Sequence, residues 1–303
     1  MQAIDQVVFG DNQFFGINHM SQEKAQQLAE TFHDIESIFH VYSVAFASGI
    51  RAVMLNSNDR ASEICDRFRA RASEFPALNW YPSIPYPHKY ANLLAEKGIL
   101  PTVNEVLFKE SSALRGLGRM AQGGFALASK DAIQLMKMLV DLEMRAFTGF
   151  EVQAVFLQNV VTDLILGLGL KDLVYEYCEH VRKKFGALPG LITQNMPFLR
   201  RMLRSWGITE VVICTSINRI GYLMSPGIDA YREALQENDP REYQIMAMST
   251  LASGAVPVRE AYDFINGLRL QSVVFGASSR KHIEETLSSI RLAGPFNAGR
   301  AAD

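Results

Sequence analysis

Residues 188–216 read LPGLITQNMPFLRRMLRSWGITEVVICTS, and this stretch contains the unit from which we predict the fold. A short apolar run, Leu188–Thr193, precedes a stretch with helical spacing, Met196–Trp206, and a second apolar run, Glu210–Thr215, follows it. Apolar runs of this length predict strands, and Pro197 lies in the first turn of the predicted helix, where proline is favoured. A strand–helix–strand order predicts two parallel strands joined by a right-handed crossover.

The same alternation continues along the chain in both directions. The strand-like runs are Gln6–Gly10, Arg51–Leu55, Leu78–Ile84, Val152–Leu157, Leu188–Thr193, Glu210–Thr215, Tyr243–Met248 and Gln271–Phe275. The helical stretches are Ser21–Phe39, Ser62–Ser73, Asp131–Ala146, Leu170–Phe185, Met196–Trp206, Ile228–Gln236, Val258–Leu268 and Arg280–Ile290. Eight such units in 303 residues predict an α/β protein with a single (β/α)8 TIM-barrel domain over residues 1–303.

Three further points concern the architecture. An open doubly wound sheet is the alternative fold, but it usually carries a GxGxxG turn after its first strand, and residues 10–13 are Gly-Asp-Asn-Gln. Residues 85–130 interrupt the alternation after the third strand, and we expect a long loop or lid over the barrel there, or an insertion that only covers it. The small-residue tail 294–303 is expected to be flexible.

Composition excludes several classes of protein. Thirty Lys and Arg residues against 32 Asp and Glu residues give a net charge of −2, so no nucleic-acid partner is expected. The apolar runs are too short to cross a membrane, and residues 1–5 lack the start of a secretory signal. Three separated cysteines favour a reducing compartment over a disulfide framework. We therefore expect a cytoplasmic protein that acts on a small molecule.

The ends of the predicted strands carry the candidate substrate-binding and catalytic residues, because ligands bind a TIM barrel at that end. Amides dominate there and can recognise a polar ligand: Asn12, Gln13, Asn56, Gln158 and Asn159. The candidate acids and bases are Asp11 and Asp59 at strand ends, with Tyr86, His88 and Lys89 in the long segment. His19 and Asp11 have no recognised metal-ligand spacing, so no metal site is predicted.

The last two units predict a phosphate-binding site. Small residues follow the seventh and eighth strands, and a helix begins after the eighth with nearby positive charge. Backbone N–H groups and a helix N-terminus bind phosphate well at this position in TIM barrels. The residues are Ser253, Gly254, Gly276, Ser278, Ser279 and Arg280, although glycine in a turn and serine as a helix cap are the structural alternative.

Residues 186–290 resemble the C-terminal half of the aldo/keto reductase family. The likeness rests on residues 193–195 (Thr-Gln-Asn), 216–218 (Ser-Ile-Asn) and above all 274–286 (VFGASSRKHIEET). In that family these strand ends hold NADPH. The resemblance therefore implies a nicotinamide cofactor, NADP, bound by Asn195, Ser216, Ser253, Ser278 and Arg280. The family usually has Asn where Thr286 stands.

The first half of the chain departs from the same family. Its proton relay uses an Asp and a Tyr after the second strand, a Lys ending the third and a His ending the fourth. Here Asn56 stands in place of the Asp, and Arg60-Ala61 in place of the Tyr. Lys89 comes several residues late, and Gln158 and Asn159 end the fourth strand. The catalytic quartet is absent, so the Tyr-as-acid mechanism is not implied.

Three functional hypotheses follow from these observations. The first is an NAD(P)H-dependent oxidoreductase that acts on a small carbonyl or imine compound with a non-standard catalytic group. The second is a non-redox TIM-barrel lyase, isomerase or hydrolase that acts on a phosphorylated or carboxylated small molecule. The third is a binding protein that kept the pocket and lost the chemistry. The oligomeric state is not predicted.

Overall fold

The computed structural model describes residues 1–16, 22–85 and 129–292. These residues contain the strands β1 (Val7–Phe9), β2 (Ala52–Asn56), β3 (Asn79–Ile84), β4 (Glu151–Val152), β5 (Ala154–Leu157), β6 (Leu188–Thr193), β7 (Val211–Ser216), β8 (Tyr243–Met248) and β9 (Ser272–Phe275). The α-helices are α1 (Gln22–Thr31), α2 (Ile35–Ala47), α3 (Ala61–Ala70), α4 (Ser129–Met144), α5 (Asn159–Gly167), α6 (Lys171–Phe185), α7 (Met196–Trp206), α8 (Ile228–Gln236), α9 (Val258–Asn266) and α10 (Arg280–Ser289).

The strands close into an eight-stranded parallel barrel. Strand β1 pairs with β2 on one side, at Phe9 and Val53, and with β9 on the other, where Val8 is level with Val274. Strands β4 and β5 both pair with β3 and form one barrel strand that is interrupted at Gln153. Helices lie between the strands along the chain. The predicted (β/α)8 barrel is confirmed, and the open sheet is wrong.

Side chains alternate between two apolar layers because successive residues of a strand point to opposite faces. The inner layer fills the barrel with side chains that include Met54, Tyr81, Phe156, Cys214 and Met246. A larger outer cluster lies between the strands and the surrounding helices. The barrel centre is thus a packed core, which leaves its two ends as places for a ligand.

Gly190 on β6 shows how tightly this interior is filled. It is level with Phe156 on β5, and a Cβ atom at position 190 would lie 2.7 Å from Cε1 of the Phe156 ring. We expect Gly190→Ala to lower the free energy of unfolding by about 1–3 kcal/mol, as overpacked cores do.

Urea unfolding measures this effect, and the chain offers a matched control. Gly167 at the end of α5 has open space around the position of a Cβ atom, so Gly167→Ala is expected to leave stability unchanged or slightly raised. Adding Phe156→Leu to Gly190→Ala should recover part of the loss. Equal stability of the Gly190 and Gly167 variants would contradict this packing.

The amino-terminal residues close the end of the barrel where the strands begin. The Tyr81 hydroxyl donates to Oδ2 of Asp5 (2.6 Å) and accepts from the Asp5 backbone N–H (2.9 Å). The Ile4 backbone N–H donates to Oε1 of Gln244 (2.9 Å), whose Nε2 donates to the Gln2 carbonyl. Because the amino-terminal residues cover this end of the barrel, we expect a ligand to bind at the opposite end.

Two parts of the predicted helical pattern are wrong. The single helix predicted over Ser21–Phe39 is two helices, α1 and α2, and the backbone is extended at Asp34, which immediately precedes α2. Asp is a favoured residue at such a helix start, so the break had a local signal. Helix α5 was not predicted, because the β-branched Val160 and Val161 at its start are more typical of a strand.

Two further observations concern membrane segments and the cysteines. None of the described helices has both the length and the apolar character that a membrane-spanning helix requires. Cys65, Cys178 and Cys214 are free and buried, and burial raises the pKa of Cys65 and Cys178 to about 12. Thiols in this state are poor nucleophiles.

Candidate functional site

The strands end in a ring of polar side chains that we call the barrel mouth. Asn56, Ser83, Gln158 and Ser216 each lie two positions after an inward-facing core residue: Met54, Tyr81, Phe156 and Cys214, respectively. They therefore point inward, since side chains repeat their direction every second residue of a strand. Asp11 and Gln13 follow β1 at the same end of the barrel.

A buried hydrogen-bonded chain joins three of the predicted residues. Asn56 donates its backbone N–H to Oδ2 of Asp11 (2.8 Å) and its Nδ2 to Oδ1 of the same carboxyl (2.6 Å). Gln158 donates its Nε2 to Oδ1 of Asn56 (2.7 Å). The first, second and fourth barrel strands thus contribute one residue each. We refer to Asp11, Asn56 and Gln158 as the mouth triad.

The two carboxyl groups considered as general bases lie in different surroundings. Asp11 is only 2 % exposed, and burial raises its pKa from 3.8 to about 7, although the hydrogen bonds from Asn56 act in the opposite direction. Asp59 is exposed and lies two residues before the start of α3. Burial disfavours a charged carboxylate, so Asp11 can gain or lose a proton near neutral pH.

Other polar atoms in the mouth are buried without a partner. The hydroxyl oxygens of Ser83 and Ser216 have no hydrogen bond within the described chain, and these residues are 1 % and 0 % exposed. Oε1 of Gln13 is also buried without a hydrogen bond from the described residues, while Nε2 of the same side chain donates to the Gly10 carbonyl (2.8 Å). A buried polar group left unpaired costs about 1–3 kcal/mol, which favours a ligand or water at this end.

The remaining predicted substrate residues lie at the edge of this network. Oδ1 of Asn12 is 3.4 Å from Nδ2 of Asn56. Asn159 is the first residue of α5 and is half-buried. Tyr86, His88, Lys89 and His19 lie outside the described residues, as do most of the long segment 85–130 and the tail 294–303.

The loop after β8 has an unusual backbone. Ser249, Ala252 and Ser253 have φ angles of 53°, 45° and 57°, and Gly254 has a φ of 90°. Non-glycine residues rarely adopt this left-handed region, and such strained residues cluster at functional sites. Within the loop, the N–H groups of Ala252 and Gly254 donate to the carbonyls of Ser249 (2.9 Å) and Leu251 (2.8 Å). These backbone N–H groups therefore hold the loop together, and its half-buried Ser253 offers a side-chain hydroxyl.

The segment after β9 leads directly into α10. Ser279 caps this helix, and its Oγ accepts a hydrogen bond from the His282 backbone N–H (3.4 Å). Ser278 and Arg280 are exposed, and Arg280 lies 3.3 Å from the Glu284 carboxylate. A Cβ atom at Gly276 would collide with Oε1 of Gln13, so a larger residue there would have to displace the end of the Gln13 side chain. Asn195 has a similar capping role on α7, where its Oδ1 accepts from the Phe198 N–H (3.2 Å).

A second hydrogen-bonded cluster, which was not predicted, lies beside the mouth. Asp163 on α5 accepts hydrogen bonds from the Thr193 hydroxyl and from the Gln194 backbone N–H (3.1 Å). The Tyr231 hydroxyl donates to the Gln194 carbonyl (3.0 Å) and accepts from the Met196 N–H (3.2 Å). Burial raises the pKa of Asp163. These contacts fix the backbone at the end of β6. Asp163 lies on α5, so it could have been identified as a candidate residue only if that helix had been predicted.

Comparison with known proteins gives a likeness of fold. No protein-family model matches the sequence, and no curated protein is similar to it in sequence. Among solved structures, a Pseudomonas aeruginosa protein assigned to the aldo-keto reductases is 12 % identical, with a TM-score of 0.60, over 95 % of this chain and 90 % of that chain. Aldose reductase from Giardia lamblia is 11 % identical, with a TM-score of 0.53, over 97 % and 90 %. The chain resembles the aldo-keto reductases in fold.

A third structure of similar fold was solved with a cofactor. A variant of Gox0644 in complex with NADPH is 12 % identical, with a TM-score of 0.50, over 94 % of this chain and 83 % of that chain. At such identities the aldo-keto reductase likeness shows the fold alone. The residues of the barrel mouth are therefore the evidence that bears on function.

The mouth triad accounts for one departure from the aldo-keto reductase pattern. The second and fourth barrel strands end in Asn56 and Gln158, where the resemblance implies Asp and His. Asp11 on the neighbouring first strand places a carboxyl 2.6 Å from the Asn56 amide. A carboxyl is thus present beside Asn56, and it comes from a different strand.

Proposed function

We propose that the protein is an NAD(P)H-dependent oxidoreductase that reduces a small carbonyl or imine compound in the barrel mouth. The mouth triad carries this proposal. A bound reduced nicotinamide would supply a hydride to the carbonyl or imine carbon, and the oxygen or nitrogen of the substrate would take up one proton. Asp11 is suited to provide that proton, because burial raises its pKa to about 7, close to neutral pH.

Asn56 and Gln158 have a positioning role in this proposal. Both side-chain hydrogen-bonding groups of Asn56 are engaged, with Asp11 on one side and Gln158 on the other. These hydrogen bonds fix the Asp11 carboxyl in one orientation, and Gln158 is the member of the triad at the far end from Asp11. Restricting the motion of a proton donor in this way lowers the cost of aligning it with a substrate.

The residues on the other side of the mouth fit a dinucleotide. The unpaired hydroxyl of Ser216 can bond a polar group of the cofactor, and the Ser253 hydroxyl, beside the exposed Gly254, can bond a phosphate. The start of α10 with Ser278 adds backbone N–H groups and a favourable helix dipole. We assign these residues, with Ser279, Arg280 and Asn195 beside them, to cofactor binding.

Thermal unfolding with NADPH tests the proposal without knowledge of the substrate. A ligand that binds the native state stabilises it by RT ln(1 + [L]/Kd), so a concentration of about 100 Kd adds about 2.7 kcal/mol. We expect a higher melting temperature with NADPH. No shift at about millimolar NADPH would contradict the proposal.

The phosphate side of the mouth yields a separate prediction. Arg280→Ala combined with Ser278→Ala is expected to weaken NADPH binding by several kcal/mol at most, since charge-assisted hydrogen bonds contribute about 1.5–3 kcal/mol each. Turnover at saturating cofactor should change little, because these contacts are equally strong in the ground state and the transition state. Fluorescence titration measures the affinity, and Arg259→Ala on the exposed surface of α9 is the control. Unchanged affinity in the double variant would show that the cofactor phosphates bind elsewhere.

A further inference from the structure

A groove on the outside of the barrel, between α7 and α8, is separate from the mouth triad. Its volume is about 720 Å³, within the range of small-molecule sites. Its apolar lining includes Pro197, Phe198, Pro226, Ala230 and Ala234. The groove thus offers an apolar surface of a size that suits a ring or a short hydrocarbon body.

Three arginines from one turn of α7 line this groove. Arg200 and Arg204 are four residues apart and Arg201 and Arg204 are three apart, so each pair lies on neighbouring positions of the helix surface. Like charges at these spacings repel and destabilise a helix. An anion bound between the guanidinium groups would relieve that repulsion.

The carboxylates of the groove do not neutralise all three arginines. Arg200 is 7 % exposed, and its Nη1 and Nη2 lie 3.3 Å from Oε2 of Glu237. Arg201 and Arg204 form no ion pair with any carboxylate of the described chain, although Arg201 lies over the Phe198 ring. Glu233 on α8 also lines the groove. Two guanidinium groups therefore remain without a carboxylate partner beside one buried cation.

We propose that this groove is a second binding site, for a small molecule that combines a dianionic phosphate group with an apolar body. Arg201 and Arg204 bind the phosphate, since guanidinium groups match phosphate oxygens in geometry and charge. The apolar body lies against Pro197, Ala230 and Pro226 on the groove floor. The groove shares no member of the mouth triad and none of the loops after β8 and β9, and Asn195, which caps α7, is the one proposed cofactor residue that lines it.

Isothermal titration calorimetry with phenyl phosphate tests the site in the intact protein. We expect phenyl phosphate to bind more tightly than inorganic phosphate, because only phenyl phosphate has a ring that covers the apolar lining of the groove. Arg201→Ala combined with Arg204→Ala should weaken it by about tenfold or more. Glu233→Gln should tighten it, because that change removes a negative charge from the groove.

Two control variants separate this site from general charge effects and from the barrel mouth. Lys183→Ala with Arg259→Ala removes the same charge from exposed positions on α6 and α9, and should leave binding unchanged. Arg280→Ala with Ser278→Ala alters the mouth and should also leave it unchanged. The proposal is overturned if the Arg201 and Arg204 double variant binds phenyl phosphate with wild-type affinity, or if either control variant loses as much affinity as that double variant does. It is also overturned if the wild type does not bind phenyl phosphate at about 10 mM.

Discussion

Asp11→Asn is expected to lower turnover by about 10²–10⁴-fold while largely preserving NADPH affinity. The substitution keeps the size of the side chain but removes the group that gains and loses a proton near neutral pH. Steady-state kinetics with a carbonyl substrate found by screening would measure the loss. Asp59→Asn is the matched control, since it changes the same chemical group at an exposed strand end, and it should retain turnover.

Full turnover in the Asp11 variant would place the proton donor elsewhere. Tyr86, His88 and Lys89 would then be the next residues to substitute. Loss of turnover in both variants would show that the exposed carboxyl also contributes, contrary to the role assigned to Asp11 alone.

The second large effect concerns how stability depends on pH. The pKa of Asp11 is about 7 in the folded protein, against the ordinary aspartate value of 3.8 that applies to the unfolded chain. The folded state therefore binds this proton more tightly than the unfolded chain does. The contribution of Asp11 to the free energy of unfolding falls as the pH rises from about 4 to about 7, and this contribution is constant above that range. A difference of about three pH units corresponds to at most about 4 kcal/mol.

Urea unfolding of the wild type and of Asp11→Asn between about pH 5 and pH 8 isolates this contribution, because other titrating groups cancel in the difference. We expect the variant to gain stability relative to the wild type as the pH rises. Parallel pH profiles for the two proteins would contradict a raised pKa.

The sequence predicted the barrel because each strand is short, apolar and bounded by polar residues. Strands β6 and β8 and helices α7 and α8 begin and end where the pattern predicted them. Helix α5 was not predicted for a second reason besides its β-branched start: apolar side chains lie on its exposed face (Val160 and Leu164) as well as on its buried face (Ile165 and Leu166). The usual amphipathic pattern, in which only one face is apolar, is therefore missing.

The mouth triad was predicted as separate residues and not as a network. The rule that ligands meet the ends of barrel strands selected Asp11, Asn56 and Gln158, because all three follow strands. The same rule also selected Asp59, and nothing in the local sequence distinguishes the buried carboxyl from the exposed one. Burial depends on contacts between strands that are distant in the chain, and Asp11 and Asn56 are 45 residues apart.

A titration of the Asp11 carboxyl itself tests the central claim most directly. Carbon-13 NMR of protein labelled at the aspartate carboxyl carbons follows each group with pH, and the resonance that disappears in Asp11→Asn identifies Asp11. We predict a midpoint at about pH 7, set by burial. A midpoint near the ordinary aspartate value, about 4, would show that the mouth triad holds a permanent carboxylate, and would contradict Asp11 as the proton donor.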